Sequence, residues 1–355
     1  MLPRASLGGP STIGGAGFLR DFLQHCATGT NAVTGARGTR LDLLSFHSKG
    51  GVAMAGGHVQ MSLRNQLVQH RDGFAMVAEF PQYRSTPIVI SEADPDGCAA
   101  CSTEDEPANA YRNSTAYGAY EVATMKRTLE LEERAGVNLR GVLTWAFMFP
   151  DEPYFAGHRT LATNGIHKPV LNAFKLLGAL DGDRLPVTSS GALSLDQILE
   201  IGVHQQADID GMATRDGSRV QVLVWNYHDD LVAEAATPVR VTVAPPAGWG
   251  TRATVTHLRV DEMHGDAYAV WAGLGSPASP TASERAALVA AMEPALLEPV
   301  RTVDVVGGAV SLDFDLPRFA VSLITLVPEV PSSDAGDAVG TGGSSGAGSS
   351  RAGSG

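Results

Sequence analysis

The segment Pro87-Ile88-Val89-Ile90-Ser91-Glu92-Ala93-Asp94-Pro95 decides the fold. Its apolar, β-branched beginning predicts a short buried strand, which Pro95 prevents from continuing. Glu92 is therefore predicted at the carboxyl end of a buried strand, where parallel α/β folds keep their reactive side chains. Taken alone, the same glutamate could equally cap a helix or pair with an arginine, so the rest of the chain has to decide.

The composition restricts the class of protein and of partner. The chain has 355 residues, enough for two domains, and its 44% hydrophobic and 18% charged residues are typical of a globular fold. A formal net charge of −12 argues against nucleic acid or an anionic membrane surface as a partner. Without a membrane-length apolar run or a signal-like beginning, we expect a soluble protein located in the cytoplasm.

The three cysteines are Cys26, Cys98 and Cys101. The last two have CxxC spacing, but no second pair exists that would complete a zinc site, so no metal is expected. Reduced cysteines that only pack against their neighbours are the preferred interpretation. A disulfide across the loop is the alternative.

Apolar strands alternate with amphipathic helices four times in the first part of the chain. The predicted elements span residues 7–10, 18–23, 41–46, 61–80, 88–90, 117–134, 141–149 and 169–178. Such alternation predicts parallel strands joined by crossover helices. The strands end in polar residues, His47 and Lys49, then Glu92, then Asp151, and their collection at one rim is typical of a (β/α)₈ barrel.

Four strand–helix units make only half of such a barrel, and an open half exposes unpaired strand edges. We therefore predict that residues 1–180 form the C-terminal half of a (β/α)₈ TIM barrel whose first half this chain lacks. Residues 181–330 show short alternating segments separated by turns, which predicts a β-sandwich domain. Its predicted strands are 205–213, 219–227, 239–244, 253–260, 302–306 and 320–327, with one helix at 283–292 that Ser283 caps. Residues 331–355 are rich in Gly and Ser and are predicted to be disordered.

Several short motifs follow one another along the chain: TNAVTGARGTRLD at 30–42, SFHSKG at 45–50, SEADP at 91–95, RTL at 159–161 and KPV at 168–170. In this order and spacing they resemble glycoside hydrolase family 39, which contains β-xylosidases and α-L-iduronidases. The resemblance implies a retaining enzyme with a (β/α)₈ barrel and an accessory β-sandwich. It implies no metal or organic cofactor, because two carboxylates suffice for the chemistry.

By this resemblance Glu92 matches the catalytic nucleophile, a carboxylate that forms a covalent glycosyl–enzyme intermediate. The family takes its acid/base from the Glu of an Asn-Glu-Pro motif, and no such motif occurs here. Glu152, in Asp-Glu-Pro, follows the nucleophile in chain order, so we do not assign it that role. The resemblance places substrate contacts at five residues, namely His47, Lys49, Gly97, Asp151 and Arg159.

Each of these contact residues also has a purely structural interpretation. Lys49 is suited to hold a uronate carboxylate as a point charge, or it is an ordinary surface lysine. His47 could be a satisfied structural histidine, Gly97 a simple turn residue, and Asp151 and Arg159 members of plain ion pairs. Trp145 could stack on a sugar, but a tryptophan inside an apolar strand is more often part of the core.

Three functions follow, in order of preference. The first is a retaining exo-glycosidase of β-xylosidase type that removes terminal xylosyl units. The second is an α-L-iduronidase-like uronic-acid glycosidase, and the third is a non-catalytic carbohydrate-binding remnant. The expected partner is an oligosaccharide or glycoside, the oligomeric state is left open, and we expect little or no activity from this chain alone.

Overall fold

The computed structural model describes residues 5–13 and 16–329 of the chain. The tail that the sequence predicts to be disordered, 331–355, lies outside the described residues. Within the described ranges no helix is both long enough and apolar enough to cross a membrane.

The first half of the chain alternates between strands and helices, as its pattern predicts. The strands are β1 (Gly8–Ile13), β2 (Leu43–Lys49), β3 (Ala53–Ala55), β4 (His58–Gln60), β5 (Pro87–Asp94), β6 (Asn138–Val142), β7 (Ala162–Thr163) and β8 (Ile166–His167). The helices are α1 (Ala16–Thr28), α2 (Leu63–Ala78), α3 (Thr115–Ala135) and α4 (Pro169–Gly178). Four strands form one parallel sheet in the order β1-β2-β5-β6, while β3–β4 and β7–β8 are separate two-stranded ribbons.

Local sequence signals explain where these helices begin and end. The hydroxyl oxygen of Ser114 accepts a hydrogen bond from the backbone N–H of Ala116 and starts α3. Gly136, with a φ of 63°, closes the same helix in the left-handed conformation that glycine adopts without strain. Helix α4 begins with Pro169 in its first turn and ends at Gly178, as predicted.

Helix α2 lies very close to the parallel sheet. A Cβ atom on Gly73 would lie 2.7 Å from a ring carbon of Phe46 on β2, so only glycine permits this approach. Phe46 and Phe74 pack edge to face at 6.1 Å between ring centroids. Strand β2, which carries His47 and Lys49, is thus held in place by a packed helix.

The second half of the chain is mostly antiparallel. Its strands are β9 (Asp183–Leu185), β10 (Asp208–Asp216), β11 (Arg219–Tyr227), β12 (Thr237–Val243), β13 (Arg252–Val260), β14 (Ala295–Leu296), β15 (Arg301–Asp304), β16 (Val310–Leu316) and β17 (Val321–Pro328). The helices are α5 (Leu195–Ile201), α6 (Ala267–Gly273) and α7 (Ala282–Ala291). One sheet has the order β14-β13-β17-β11-β10-β9, with β15 also on β13, and β12 pairs with β16. The half-barrel, the β-sandwich and the boundaries at 180 and 330 stay predictions.

Some predicted elements differ from those observed. The predicted strand 141–149 ends at Val142, because the chain after it turns away to bond with other segments. The N-cap of α7 is Thr281, whose hydroxyl forms a capping box with Glu284, and the assignment of Ser283 was wrong. The α-helices and strands that the pattern did not predict are β3, β4, β7, β8, β9, β14, β16, α5 and α6.

Candidate active site

Glu92 and its neighbours meet where β2 and β5 run side by side. The register pairs His47 with Glu92 and Lys49 with Asp94, and it is interrupted after Phe46. His47 Nδ1 lies 3.6 Å from Glu92 Oε2, and Lys49 Nζ lies 2.7 Å from the same oxygen. Parallel pairing therefore brings three of the predicted site residues together at one end of the sheet.

Asp94 is the central residue that the sequence interpretation missed. Its carboxylate is fully buried, at 0% exposed, and Lys49 Nζ donates to one oxygen at 2.5 Å. Arg159 forms an ion pair with the same oxygen. The hydroxyl of Thr144 and the backbone N–H of Trp145 donate to the other oxygen at 2.6 and 3.2 Å. A signal was present, since residues two apart in a strand share a face with one another.

Asp96 extends the set of charges away from the strands. Its carboxylate accepts hydrogen bonds from the Tyr111 hydroxyl at 2.6 Å and from Arg112 Nε at 3.0 Å. Arg159 Nε lies 3.3 Å from Asp96 Oδ1, so Arg159 connects Asp96 to Asp94. Three carboxylates and three cations therefore alternate along what we call the charge ladder: Glu92, Lys49, Asp94, Arg159, Asp96 and Arg112.

The ladder changes the proton affinities of its members. Burial acts to raise the pKa of Glu92, but the hydrogen bond and positive charge of Lys49 outweigh it and hold that pKa below its ordinary value. Burial lowers the pKa of Lys49, although its contact with Glu92 opposes the change. Burial also lowers the pKa of Arg159, to about 10. Because this pKa is still well above 7, the guanidinium remains charged at neutral pH. Glu92 is therefore an ionised carboxylate beside a fixed cation.

Exposure divides the ladder into an accessible side and a supporting side. The side chains of Glu92 and Lys49 are 31% and 12% exposed, whereas Arg159 is only 1% exposed. His47, beside Glu92, is 17% exposed. An ionised, accessible carboxylate on a packed strand is suited to nucleophilic attack. The buried members are suited to hold Lys49 and the backbone in place.

A family model matches most of the sequence. The model of glycosyl hydrolases family 39 covers residues 2–307. This chain belongs to glycosyl hydrolases family 39. Membership confirms the resemblance carried by the short motifs and makes the chain a relative of glycosidases.

The curated relatives of this family-39 chain include mammalian α-L-iduronidases. The dog protein is 30% identical over 334 residues, which cover 87% of this chain and 48% of the relative. The mouse protein is 29% identical over 314 residues, with 79% and 45% covered. The chain thus spans about half the length of these relatives.

Solved structures of the family share the fold. A bacterial orthologue of human α-L-iduronidase superposes with a TM-score of 0.72 at 23% identity, over 93% of this chain and 56% of that one. A monomeric β-xylosidase from Caulobacter crescentus CB15 has a TM-score of 0.67 at 22% identity, over 93% and 62% of the two chains. At these identities the likenesses show the fold alone, and family-39 enzymes with two specificities share it.

Three predicted contact residues are not members of the charge ladder: His47, which lies beside Glu92, and Asp151 and Gly97, which lie away from it. Asp151 is exposed in a turn with a φ of 56°, and among the described residues it has no ion pair with the ladder. Gly97 is exposed, and a Cβ there would meet nothing within 4 Å, so its surroundings are open. Glu152 is 7% exposed and lies 2.8 Å from His158 Nδ1. The substrate roles of all five predicted contact residues stay predictions.

Trp145 is a surface residue beside the ladder, so its interpretation as core was wrong. Its side chain is 50% exposed, and its ring meets Phe149 edge to face at 5.7 Å between centroids. The peptide bond to Ala146 is cis. Hydrogen bonds from Trp145 N to Asp94 and from Ala146 N to the carbonyl of Arg159 direct this segment away from the sheet. The alternative, a ring that stacks on a sugar, stays a prediction.

The CxxC pair of the family-39 chain is oxidised. Cys98 and Cys101 form a disulfide, so the preferred interpretation of reduced cysteines was wrong for this pair. Cys26 is a free, buried cysteine, as that interpretation predicts. In residues 5–13 and 16–329 no group of three His, Cys, Asp or Glu side chains is placed to hold a metal ion.

Proposed function

We propose that this chain carries the nucleophile of a retaining glycoside hydrolase, and that the nucleophile is Glu92. The observation that supports the proposal is the contact of 2.7 Å between Lys49 Nζ and Glu92 Oε2, which keeps an accessible carboxylate ionised. In the first step Glu92 attacks the anomeric carbon, the bond to the leaving oxygen breaks, and an ester forms. Water then cleaves the ester and restores the carboxylate.

The second carboxyl of the reaction has to lie about 5–5.5 Å from the nucleophile. No Asn-Glu-Pro motif occurs in the sequence, and Glu152 pairs with His158 rather than with the ladder. The acid/base is therefore proposed to come from polypeptide beyond these residues. For that reason we expect this chain alone to act only on substrates whose leaving groups need little protonation.

Lys49 keeps a partner throughout the proposed reaction. When Glu92 becomes an ester it loses its charge, and Lys49 would otherwise be a half-buried cation without a counter-charge. The carboxylate of Asp94, 2.5 Å from Lys49 Nζ, supplies that counter-charge at every step. The ladder thus supports both the free and the glycosylated state of Glu92.

The terminal sugar is proposed to be a uronic acid. Lys49 and His47 are the basic side chains on the accessible side of Glu92, where a sugar carboxylate could approach a cation. The relatives named α-L-iduronidase are 29–30% identical to this chain. A terminal xylosyl unit is the second candidate, because the ladder balances three cations with three carboxylates and leaves no cation in excess.

Two aryl glycosides with the same highly acidic phenol as leaving group test both parts of the proposal. We expect the chain to release phenolate from the α-L-iduronide and to carry the sugar on Glu92, as peptide mass spectrometry would show. Glu92→Ala should abolish both signals, whereas Glu79→Ala, an exposed glutamate paired with Arg20, should retain them. Release that survives Glu92→Ala rejects this nucleophile, and release from the β-xyloside alone rejects the uronic acid. No reaction with either sugar favours the non-catalytic, carbohydrate-binding remnant.

The cytoplasmic location stays a proposal. The disulfide between Cys98 and Cys101 weighs against it, because cytosolic thiols are normally kept reduced. A glycoside as the substrate and a homo-oligomeric state are likewise proposals.

A further inference from the structure

The disulfide lies directly beside the charge ladder. Cys98 follows Asp96 by two residues, is exposed, and is joined to the half-buried Cys101. A soluble thiol can therefore approach the bond from the Cys98 side. Neither cysteine takes part in the proposed attack by Glu92, so the disulfide has no role in that step.

The CxxC turn holds both arginines of the ladder through backbone carbonyls. The carbonyl oxygens of Cys98 and Cys101 accept from Arg112 Nη2 and Nη1 at 2.8 and 2.7 Å. Arg112 is 1% exposed, so these carbonyls replace the water that a buried guanidinium has lost. The carbonyl of Ala99, between the cysteines, accepts from the backbone N–H of Arg159 at 2.9 Å. The turn is thus a direct support of the ladder.

We propose that Cys98–Cys101 is a thiol–disulfide exchange site, and that its reduction by a dithiol loosens the charge ladder behind Glu92. A thiolate of the dithiol attacks one sulfur, the S–S bond breaks, and the other cysteine leaves as a thiolate that takes up a proton. The second thiol of the reductant, as its thiolate, then displaces the first cysteine. Two electrons pass to the protein, which gains two thiols, and the reductant becomes a disulfide.

Reduction should loosen the ladder because few bonds close the CxxC turn. Besides the disulfide, the described backbone bond across it is the long one from Cys101 N to the Cys98 carbonyl, at 3.4 Å. Once the S–S bond is broken, the segment gains conformational freedom, and its carbonyls no longer have to converge on Arg112. A buried guanidinium that loses acceptors is destabilised, so Arg112, Asp96 and Arg159 should rearrange together.

Amide hydrogen exchange tests this proposal without any substrate. Trp145 N donates to Asp94 and Arg159 N donates to the Ala99 carbonyl, so peptides within residues 143–161 report on the ladder. We expect a dithiol to accelerate exchange in these peptides about tenfold, the effect of losing one net hydrogen bond. The amides of α7 should not change, which shows that the chain remains folded.

Matched variants distinguish an effect of the Cys98–Cys101 disulfide from an effect of the free Cys26. Cys98→Ser/Cys101→Ser should exchange fast without dithiol and not respond to it, while Cys26→Ser should respond like the native chain. Alkylation of the reduced native chain gives the same opened turn without any substitution. Unchanged exchange in residues 143–161 after both thiols of the pair have been alkylated would overturn the proposal.

An effect of reduction on the reactivity of Glu92 rests on the proposed function. The experiment distinguishes a failure of this effect from a failure of the proposed function. If the oxidised chain is glycosylated at Glu92, reduction should slow that labelling about tenfold. Labelling at an unchanged rate rejects the link between the turn and the nucleophile. If the oxidised chain is never labelled, the proposed function fails, and the exchange experiment still decides whether the turn supports the ladder.

Discussion

Asp94 is the residue on which the geometry of the site depends most. It is fully buried and pairs with both Lys49 and Arg159, so Asp94→Asn would place a neutral side chain between the buried Arg159 and the half-buried Lys49. We expect the free energy of unfolding to fall by about 3 kcal/mol, measured by chemical denaturation. The control Asp196→Asn removes an aspartate whose side chain is 75% exposed and should cost at most about 0.5 kcal/mol. Equal effects of the two substitutions would contradict a central role for Asp94.

The pKa of Glu92 gives a second prediction at this scale. Burial opposes the ionised form of Glu92, yet Lys49 holds its pKa in the folded state below the ordinary value. Ionised Glu92 therefore stabilises the fold at pH values above its ordinary pKa. This contribution is lost as the pH falls through the lowered, folded-state pKa. Lys49→Met should therefore move the titration of the Glu92 carboxyl to higher pH. Carbon NMR of labelled glutamate measures it. Lys126→Met, which removes a lysine paired with Asp210, should leave the titration unchanged.

Part of the site follows from sequence and part does not. The apolar runs at 41–46 and 88–90 locate β2 and β5, although both strands continue through polar residues, to Lys49 and to Asp94. Parallel pairing then places His47, Lys49 and Glu92 together. Arg159 reaches the ladder from a loop and Arg112 from a short 3₁₀ helix (Pro107–Asn113), and the positions of both segments depend on carbonyl contacts between distant parts of the chain. Neither periodicity nor propensity records such contacts, so the ladder as a whole could not be derived.

At the scale of elements, the predictions succeeded where a helix or strand carries its own signals. Helix α4 matches its predicted range because Pro169 and Gly178 mark both ends. The strand predicted at 141–149 was too long. After Val142 most of its apolar side chains are exposed, and its backbone forms hydrogen bonds with other segments. The short helices α5 and α6 have seven residues each, too few for a periodic pattern to be recognised.

Helix α6 provides a test of a buried cap. The side chain of Asp266 accepts from the backbone N–H of Ala269 at 3.0 Å, and burial raises the pKa of its carboxyl to about 7. Because this folded-state pKa exceeds the ordinary value of 3.8, the folded chain binds more protons and loses stability as pH rises from about 4 to 7. Asp266→Asn keeps an acceptor without the charge, so it should stabilise the chain on the order of 1 kcal/mol at pH 8.

Thermal unfolding at pH 4 and at pH 8 measures this difference. At pH 4 the advantage of Asp266→Asn should largely disappear, because the native carboxyl is then protonated in the folded state. Asp304→Asn, whose side chain is 76% exposed, is the control and should show no such dependence on pH. A stabilisation that is the same at both pH values would contradict the assignment to the buried charge.

At the scale of the whole molecule, the parallel and antiparallel sheets share one apolar core. Leu44 and Ile90 of the parallel sheet belong to the same buried cluster as Trp225 and Leu323 of the antiparallel sheet. A second cluster, which includes Val222 of the antiparallel sheet, lies between that sheet and β12–β16. The sequence pattern changes near residue 181, from alternating strands and helices to short strands, but the apolar core is continuous across this boundary. Stability of the site region should therefore depend on contacts with the second half.

Arg127 on α3 contributes buried ion pairs to this connection. Its side chain is 3% exposed, and its Nη2 lies 3.0 Å from Asp208 and 2.9 Å from Asp210, both on β10. Arg127→Met would leave the fully buried Asp208 without its cation, so we expect a loss of about 3–5 kcal/mol in the free energy of unfolding. Since the lost contacts join helix α3 of the first half to the antiparallel sheet, calorimetry should show one unfolding transition in the native chain and two in the variant. Arg134→Met, on the same helix but in an exposed pair with Asp196, should cost at most about 0.5 kcal/mol and keep a single transition. A single transition in both variants would mean that the apolar core alone couples the two halves.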